Sequence, residues 1–94
     1  MKTVDDINEE DVNLLYKKIG MNVKKYREEK GLTQLQLALR MNLKSVGLVS
    51  QAELYLKKQH FNIKHLYQIA YILECDIIDF FINDNEKNII YFRP

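Results

Sequence analysis

Apolar residues recur at steps of three and four along most of this 94-residue chain, the spacing of one buried helical face. Val12, Leu15, Ile19, Val23 and Tyr26 form the first such stripe. Acids precede it, and acids suit a helix N-terminus, so the first helix is predicted to begin between Asn8 and Asp11. Gly31 follows the stripe and is predicted to end the helix, because glycine readily takes the left-handed conformation that closes one. Thr33 is placed to cap a second helix, with Leu35, Ala38 and Leu39 pointing inward. Residues 42–44 form a turn. Ser45 is placed to cap a third helix whose inward positions are Val49, Ala52 and Glu53. A loop over residues 54–61 exposes Lys57 and Lys58. Asn62 then caps a fourth helix carrying Ile63, Leu66, Ile69, Ala70 and Leu73, and Asp76 caps a fifth with Ile77, Phe80 and Phe81 as its apolar members.

The pattern changes after that. Residues 83–88 are polar and turn-like, and residues 88–93 (N-I-I-Y-F-R) are β-branched and aromatic. They read as a short strand or an apolar tail. A lone short strand is unstable by itself, and a second copy of the chain is the simplest supplier of a partner. The resulting architecture is all-α: an acidic segment at 1–11, a five-helix domain at 12–82, and a tail or short C-terminal β-strand at 83–94.

Composition narrows the class. A chain of this length with 47% hydrophobic residues supports one domain with a modest core. The single proline is Pro94 and there are only three glycines, so nothing inside the domain forbids helix. One cysteine permits no intramolecular disulfide, which predicts a reducing, cytosolic setting. The acidic N-terminus has no apolar run and does not read as a signal peptide. No stretch approaches the roughly 20 apolar residues that span a bilayer.

Charge looks uninformative at a net of +1, but its distribution is uneven. Residues 17–68 hold eleven bases against three acids, a net of plus eight, between two acidic ends. A basic surface supplies the sequence-independent part of affinity for DNA. A solvated surface with segregated charge is the alternative reading. Residues 31–53 favour the first: two short amphipathic helices in tandem are the geometry that lays a helix into the major groove.

The stretch from Ile19 to Phe81 resembles the phage-repressor-like helix-turn-helix family, also called the Xre family. The residues that carry the likeness are Tyr26-Arg27 ahead of Gly31-Leu32-Thr33-Gln34, then Leu37-Ala38 in the second helix. They continue with Val49-Ser50-Gln51-Ala52-Glu53 in the third helix, and Leu66, Ile69, Ala70 and Leu73 in the fourth. The resemblance implies a five-helix lambda-repressor-like domain binding double-stranded DNA at a palindromic operator. It implies a regulator of transcription, a repressor by preference, acting as a homodimer in the cytoplasm of a bacterium or in a phage infection. The stretch between Gln34 and Glu53 is one residue longer than the usual motif. The extra residue is assigned to the turn, since an insertion within either helix would rotate its buried face out of register.

The resemblance also carries over roles. Arg27 and Glu53 are expected to form an ion pair tying the first helix to the third. Gln34 is expected to bind a phosphate and brace a side chain of the third helix. Lys44, Ser45, Val46, Gly47, Ser50 and Gln51 are the expected groove-facing positions, and Lys57 and Lys58 the expected phosphate contacts. Gln51 has a paired donor and acceptor that match adenine N6 and N7. Val46 offers only an apolar contact, and Gly47 offers close approach. Dimer contacts are expected from the fifth helix (Ile77, Ile78, Phe80, Phe81, Ile82) and the tail (Ile89, Ile90, Tyr91, Phe92).

Catalysis finds little support. His60 and His65 are five apart, without the i, i+4 relation of a helical metal pair. Cys75 reads as a small apolar residue rather than a nucleophile. No glycine-rich phosphate loop occurs, and no metal or cofactor is expected. The alternative from another class is an antitoxin or protein-interaction module on the same fold, with the third helix held by protein.

Overall fold

The fold is given by a computed structural model, which describes residues 1–83. Four α-helices follow one another: α1 Glu9–Glu29, α2 Gln34–Arg40, α3 Gly47–Leu54 and α4 Ile63–Leu73. Three short 3-10 segments accompany them, Val4–Asp6, Leu56–Lys58 and Ile77–Phe80, and the last packs against α1 and α4. There is no strand among the described residues. No helix among them is long and apolar enough to cross a membrane.

Each helix starts on a side-chain cap except α3. Asn8 accepts from the N–H of Glu10, Thr33 from Gln36 and Asn62 from His65. Each such cap satisfies one of the donors that a helix N-terminus leaves open, and is worth about 1 kcal/mol. α1 ends as its glycine requires. Gly31 takes φ +72°, the N–H of Gly31 donates to Glu28 and that of Leu32 to Arg27. The other helices close on left-handed residues that are not glycine: Asn42 just after α2, Tyr55 at the end of α3 and Glu74 at the end of α4.

The core holds Ile19, Val23, Leu37, Val49, Ala52, Leu66, Ile69, Leu73 and Phe80. α1 forms its floor. α3 crosses α1 at Gly20, where a Cβ would lie 2.7 Å from the carbonyl oxygen of Glu53 and closer still to that of Ala52. The absent side chain is therefore what lets the two backbones meet. The last turn is tied back to α1 by Asn22, whose Nδ2 donates to the carbonyls of Phe80 (3.0 Å) and Ile82 (3.2 Å).

The structure corrects several expectations. Leu15, Leu35, Leu39 and Ile63 are exposed. Each lies on the outward edge of its stripe, and in α2 the inward side is held by Leu37 and Ala38 instead. Phe61, expected in an exposed loop, is buried and closes the core beneath α4. Ser45 does not cap α3, which begins two residues later with Val46 as its first flanking residue and no side-chain cap. Leu43 packs against the core, so residues 44–46 are used to cross to the helix start. The fifth helix is reduced to the four-residue 3-10 turn, because Asp76 and Phe81 bound a segment too short for α pairing. Phe80 and Ile82, expected at a dimer contact, are buried within the chain's own core. The expected strand at 88–93 and the tail residues Ile89, Ile90, Tyr91 and Phe92 lie outside the described residues.

Candidate nucleic-acid interface

Helical spacing sorts α3 into two faces. Val49, Ala52 and Glu53 are buried. Gly47, Ser50, Gln51 and Leu54 follow at i, i+3, i+4 and i+7, on the opposite side. Gly47, Ser50 and Gln51 are half-buried and Leu54 is exposed. The outward face is thus short, small-featured at its N-terminal end and apolar at its C-terminal end.

The buried face is held by one polar junction. Arg27 Nε donates to Glu53 Oε2 at 2.7 Å, and Arg27 Nη2 to Glu53 Oε1 at 3.0 Å. Both side chains are buried, Glu53 completely. Gln34 Nε2 donates to the same Oε1 at 2.9 Å, and Arg27 Nη1 donates to the carbonyl of Leu32 at 2.7 Å. One carboxylate therefore fixes α1, the start of α2 and the end of α3 together. The hydrogen bond to Glu53 is also the main reason that the Arg27 guanidinium is held above its ordinary value. A charge pair this deep is tolerable because its oxygens and N–H groups are matched by hydrogen bonds.

The sequence-predicted residues fall around this junction as follows. Gln34 is half-buried with its amide on Glu53, so the side chain of α3 that it braces is the ion-paired one. Lys44 and Ser45 are exposed in the crossing to α3, and Val46 is half-buried just before the helix. Gly47 is its first residue, and a Cβ there would meet only Ser45 Oγ at 3.6 Å, an ordinary contact. Ser50 Oγ is turned onto the carbonyl of Gly47 at 3.1 Å, which occupies its donor. Gln51 stands half-buried on the outward face. Leu48 is half-buried and packs against the core rather than standing free.

Lys57 and Lys58 are exposed in the turn after α3, and both adopt left-handed backbone (φ 52° and 60°). Two successive non-glycine residues in that region are held at a cost of order 1 kcal/mol each. Tyr55, itself left-handed, anchors the turn: its hydroxyl donates to Asn13 Oδ1 at 2.9 Å and its ring stacks on Tyr16 at 5.5 Å. His60 also stacks on Tyr16, with ring centroids 4.0 Å apart, and its ring lies 6.5 Å from that of Tyr55. This aromatic clasp fixes the lysine turn to the N-terminal half of α1.

Two residues were not found from the sequence as parts of the site. Gly20 sets the approach of α3 to α1, and its signal was present as a glycine inside a helix, where it costs about 1 kcal/mol and so calls for a reason. Leu54 belongs to the outward face of α3, which starts and ends later than the sequence pattern predicts. The remaining reactive groups do not gather. Burial pushes the Cys75 thiol up to about 11, away from a nucleophile's range. Burial lowers His65, and its Nδ1 accepts from the N–H of Asn62 at 3.2 Å, a bond open only to the neutral ring. Among the described residues no three His, Cys, Asp or Glu side chains are grouped as metal ligands.

Comparison with known families agrees with this arrangement. A family model described as helix-turn-helix matches residues 23–80, well over half of the chain. The match begins within α1 and ends at the buried Phe80, and so covers the whole Arg27–Gln34–Glu53 junction. No curated protein and no solved structure matches the chain.

Proposed function

The chain belongs to the phage-repressor-like helix-turn-helix family, and from that premise we propose that it binds double-stranded DNA sequence-specifically and represses transcription by laying α3 in the major groove. The observation that carries this reading is the outward face of α3 beside three exposed lysines. Gln51 supplies a donor and an acceptor suited to adenine, Leu54 an apolar contact for a thymine methyl, and Gly47 room for close approach. Lys44, Lys57 and Lys58 bind phosphates, which position the domain without specifying sequence. Gln34, with one amide hydrogen on Glu53, turns its second toward a phosphate. The DNA-binding unit is residues 12–82, and residues 1–11 precede it as an acidic segment.

Two copies act together on a palindromic operator. The contact assigned to the end of the domain retains Ile77, Ile78 and Phe81, since Phe80 and Ile82 are taken by the core. Selection from random duplex DNA tests the reading as a whole. It is expected to return a two-fold site with half-sites about one or more helical turns apart. A failure to enrich any sequence, with capture of a protein partner in its place, favours the interaction module over the regulator.

Gly47 separates folding from binding. Because a Cβ at Gly47 meets nothing closer than 3.6 Å, Gly47→Ala is expected to leave urea stability unchanged or to raise it by up to about 1 kcal/mol. The same substitution is expected to weaken binding to the selected operator about tenfold, roughly 1.4 kcal/mol. Unchanged affinity would show that α3 does not approach the DNA at its first turn.

A further inference from the structure

The two histidines of the chain flank the start of α4 and hold their protons differently. His65 Nδ1 accepts from the N–H of Asn62 at 3.2 Å, so protonation breaks that bond. His60 Nδ1 lies 3.2 Å from the carbonyl oxygen of Lys58. A carbonyl only accepts, so Nδ1 carries the hydrogen there, and Nε2 is the nitrogen that a further proton takes. Protonation of His60 therefore leaves its bond to Lys58 intact. It also favours the stack on Tyr16, since a cation is attracted to the face of an aromatic ring. The stack covers a face of the imidazole and not its edge. His60 is exposed two residues after Lys58, and its Nε2 makes no hydrogen bond among the described residues.

We propose that His60 is a further phosphate contact of the lysine turn, charged only when protonated, so that binding of duplex DNA takes up a proton. It rests on Lys57 and Lys58 binding phosphates, as proposed for the interface. The three side chains share one short turn, which Tyr16 and Tyr55 hold against α1. The charges around the ring set the balance. Lys57 and Lys58 on the turn oppose another positive charge, and so do Lys64 and His65 on α4. The coupling to His65 is direct: burial, then Lys64, then His60 lower it. From α1, Tyr16 faces the ring, and Glu9 and Glu10 favour the charge. Both acids lie one turn before Asn13 on its side of the helix. Their field reaches the clasp, since burial first, then Tyr16, Glu9 and Glu10, raise the Tyr55 hydroxyl. The groove on the inner side of His60 is lined by Val12, Leu15, Phe61, Ile63 and Phe81, none of which titrates. Three cations at 57, 58 and 60 repel one another in the free protein, and a phosphate arriving among them reverses that. Binding therefore raises the proton affinity of His60, and by linkage acid raises the affinity for DNA. Histidine is the side chain suited to this between about pH 5 and 8.

The test is fluorescence anisotropy of a labelled mixed-sequence duplex titrated with the full chain, at about pH 8 and about pH 6 and at equal ionic strength. Circular dichroism at the two pH values checks that the fold is the same. Affinity is expected to rise about tenfold per bound copy on going to the lower pH, as one charge-assisted contact is gained. The slope of log K against log salt should steepen by about 0.9 per copy. His60→Gln should bind as the parent does at the higher pH and lose both changes. His60→Lys should bind at the higher pH as the parent does at the lower. His65→Gln should keep both changes, because glutamine also serves a capping box. A parent that binds duplex with a flat pH profile overturns the role of His60 and leaves DNA binding standing. So does a rise that survives His60→Gln. No duplex binding at either pH overturns both.

Discussion

Glu53→Ala is expected to remove about 3–5 kcal/mol of stability, a large share of what a domain of this size holds. The carboxylate takes three hydrogen bonds from Arg27 and Gln34 while itself fully buried. Its removal strands the Arg27 guanidinium, which is 6% exposed and keeps only the Leu32 carbonyl. Arg27→Met strands the opposite charge, with Gln34 as its remaining partner, and is expected to cost a similar amount. The double substitution Arg27→Met with Glu53→Leu replaces both charges by apolar groups of similar shape. It is expected to recover much of the loss, because an apolar pair carries no desolvation penalty. Urea denaturation of the four proteins measures this directly. A loss below about 1 kcal/mol for either single substitution would mean that the pair is solvated and does not set the register of α3.

Gly20→Ala is expected to cost about 3 kcal/mol, at the upper end of what overpacking does, although alanine favours helix by about 1 kcal/mol. The obstacle is backbone: the carbonyl oxygens of Ala52 and Glu53 lie within 3 Å of the new methyl. Neither can rotate away as a side chain would, so α1 and α3 must separate. Separation pulls Glu53 from Arg27, which couples this substitution to the first. A double-mutant cycle of Gly20→Ala with Glu53→Ala is expected to give a total well short of the sum. Strict additivity would show that the contact and the ion pair are independent.

The sequence made some of this architecture legible and hid the rest, for physical reasons. Thr33, Asn62 and Asp76 were readable as caps because a short polar side chain at a helix start has one local task. Gly31 was readable because the left-handed close of α1 needs no side chain. The ends of α2, α3 and α4 were less so, since Asn42, Tyr55 and Glu74 take the same conformation against their own preference. Tyr55 does so because its ring and hydroxyl are claimed by Tyr16 and Asn13, contacts 39 and 42 residues away that no local pattern displays. Periodicity over-counted the buried stripes: Leu15, Leu35, Leu39 and Ile63 satisfy the spacing yet sit at its outer edge. Ser45 was the natural cap by residue type, but the packing of Leu43 moved the start of α3 past it. The fifth helix was over-read because Asp76 caps a single 3-10 turn as well as it caps an α-helix. Within the candidate site, the expected set around Gln34, Gln51 and the lysines followed from family likeness. Leu54 followed only once the true bounds of α3 were known.

The central claim is that α3 and its flanking lysines form a DNA-binding surface, and a salt titration of duplex binding addresses it most directly. Three exposed lysines per copy predict that log K falls against log salt with a slope of about −2.7 for each bound copy. Lys57→Ala should reduce that slope by about one without changing sequence preference, while Gln51→Ala should relax one base position and leave the slope intact. No measurable affinity for any duplex at about 50 mM salt, or an affinity indifferent to salt, would contradict the account.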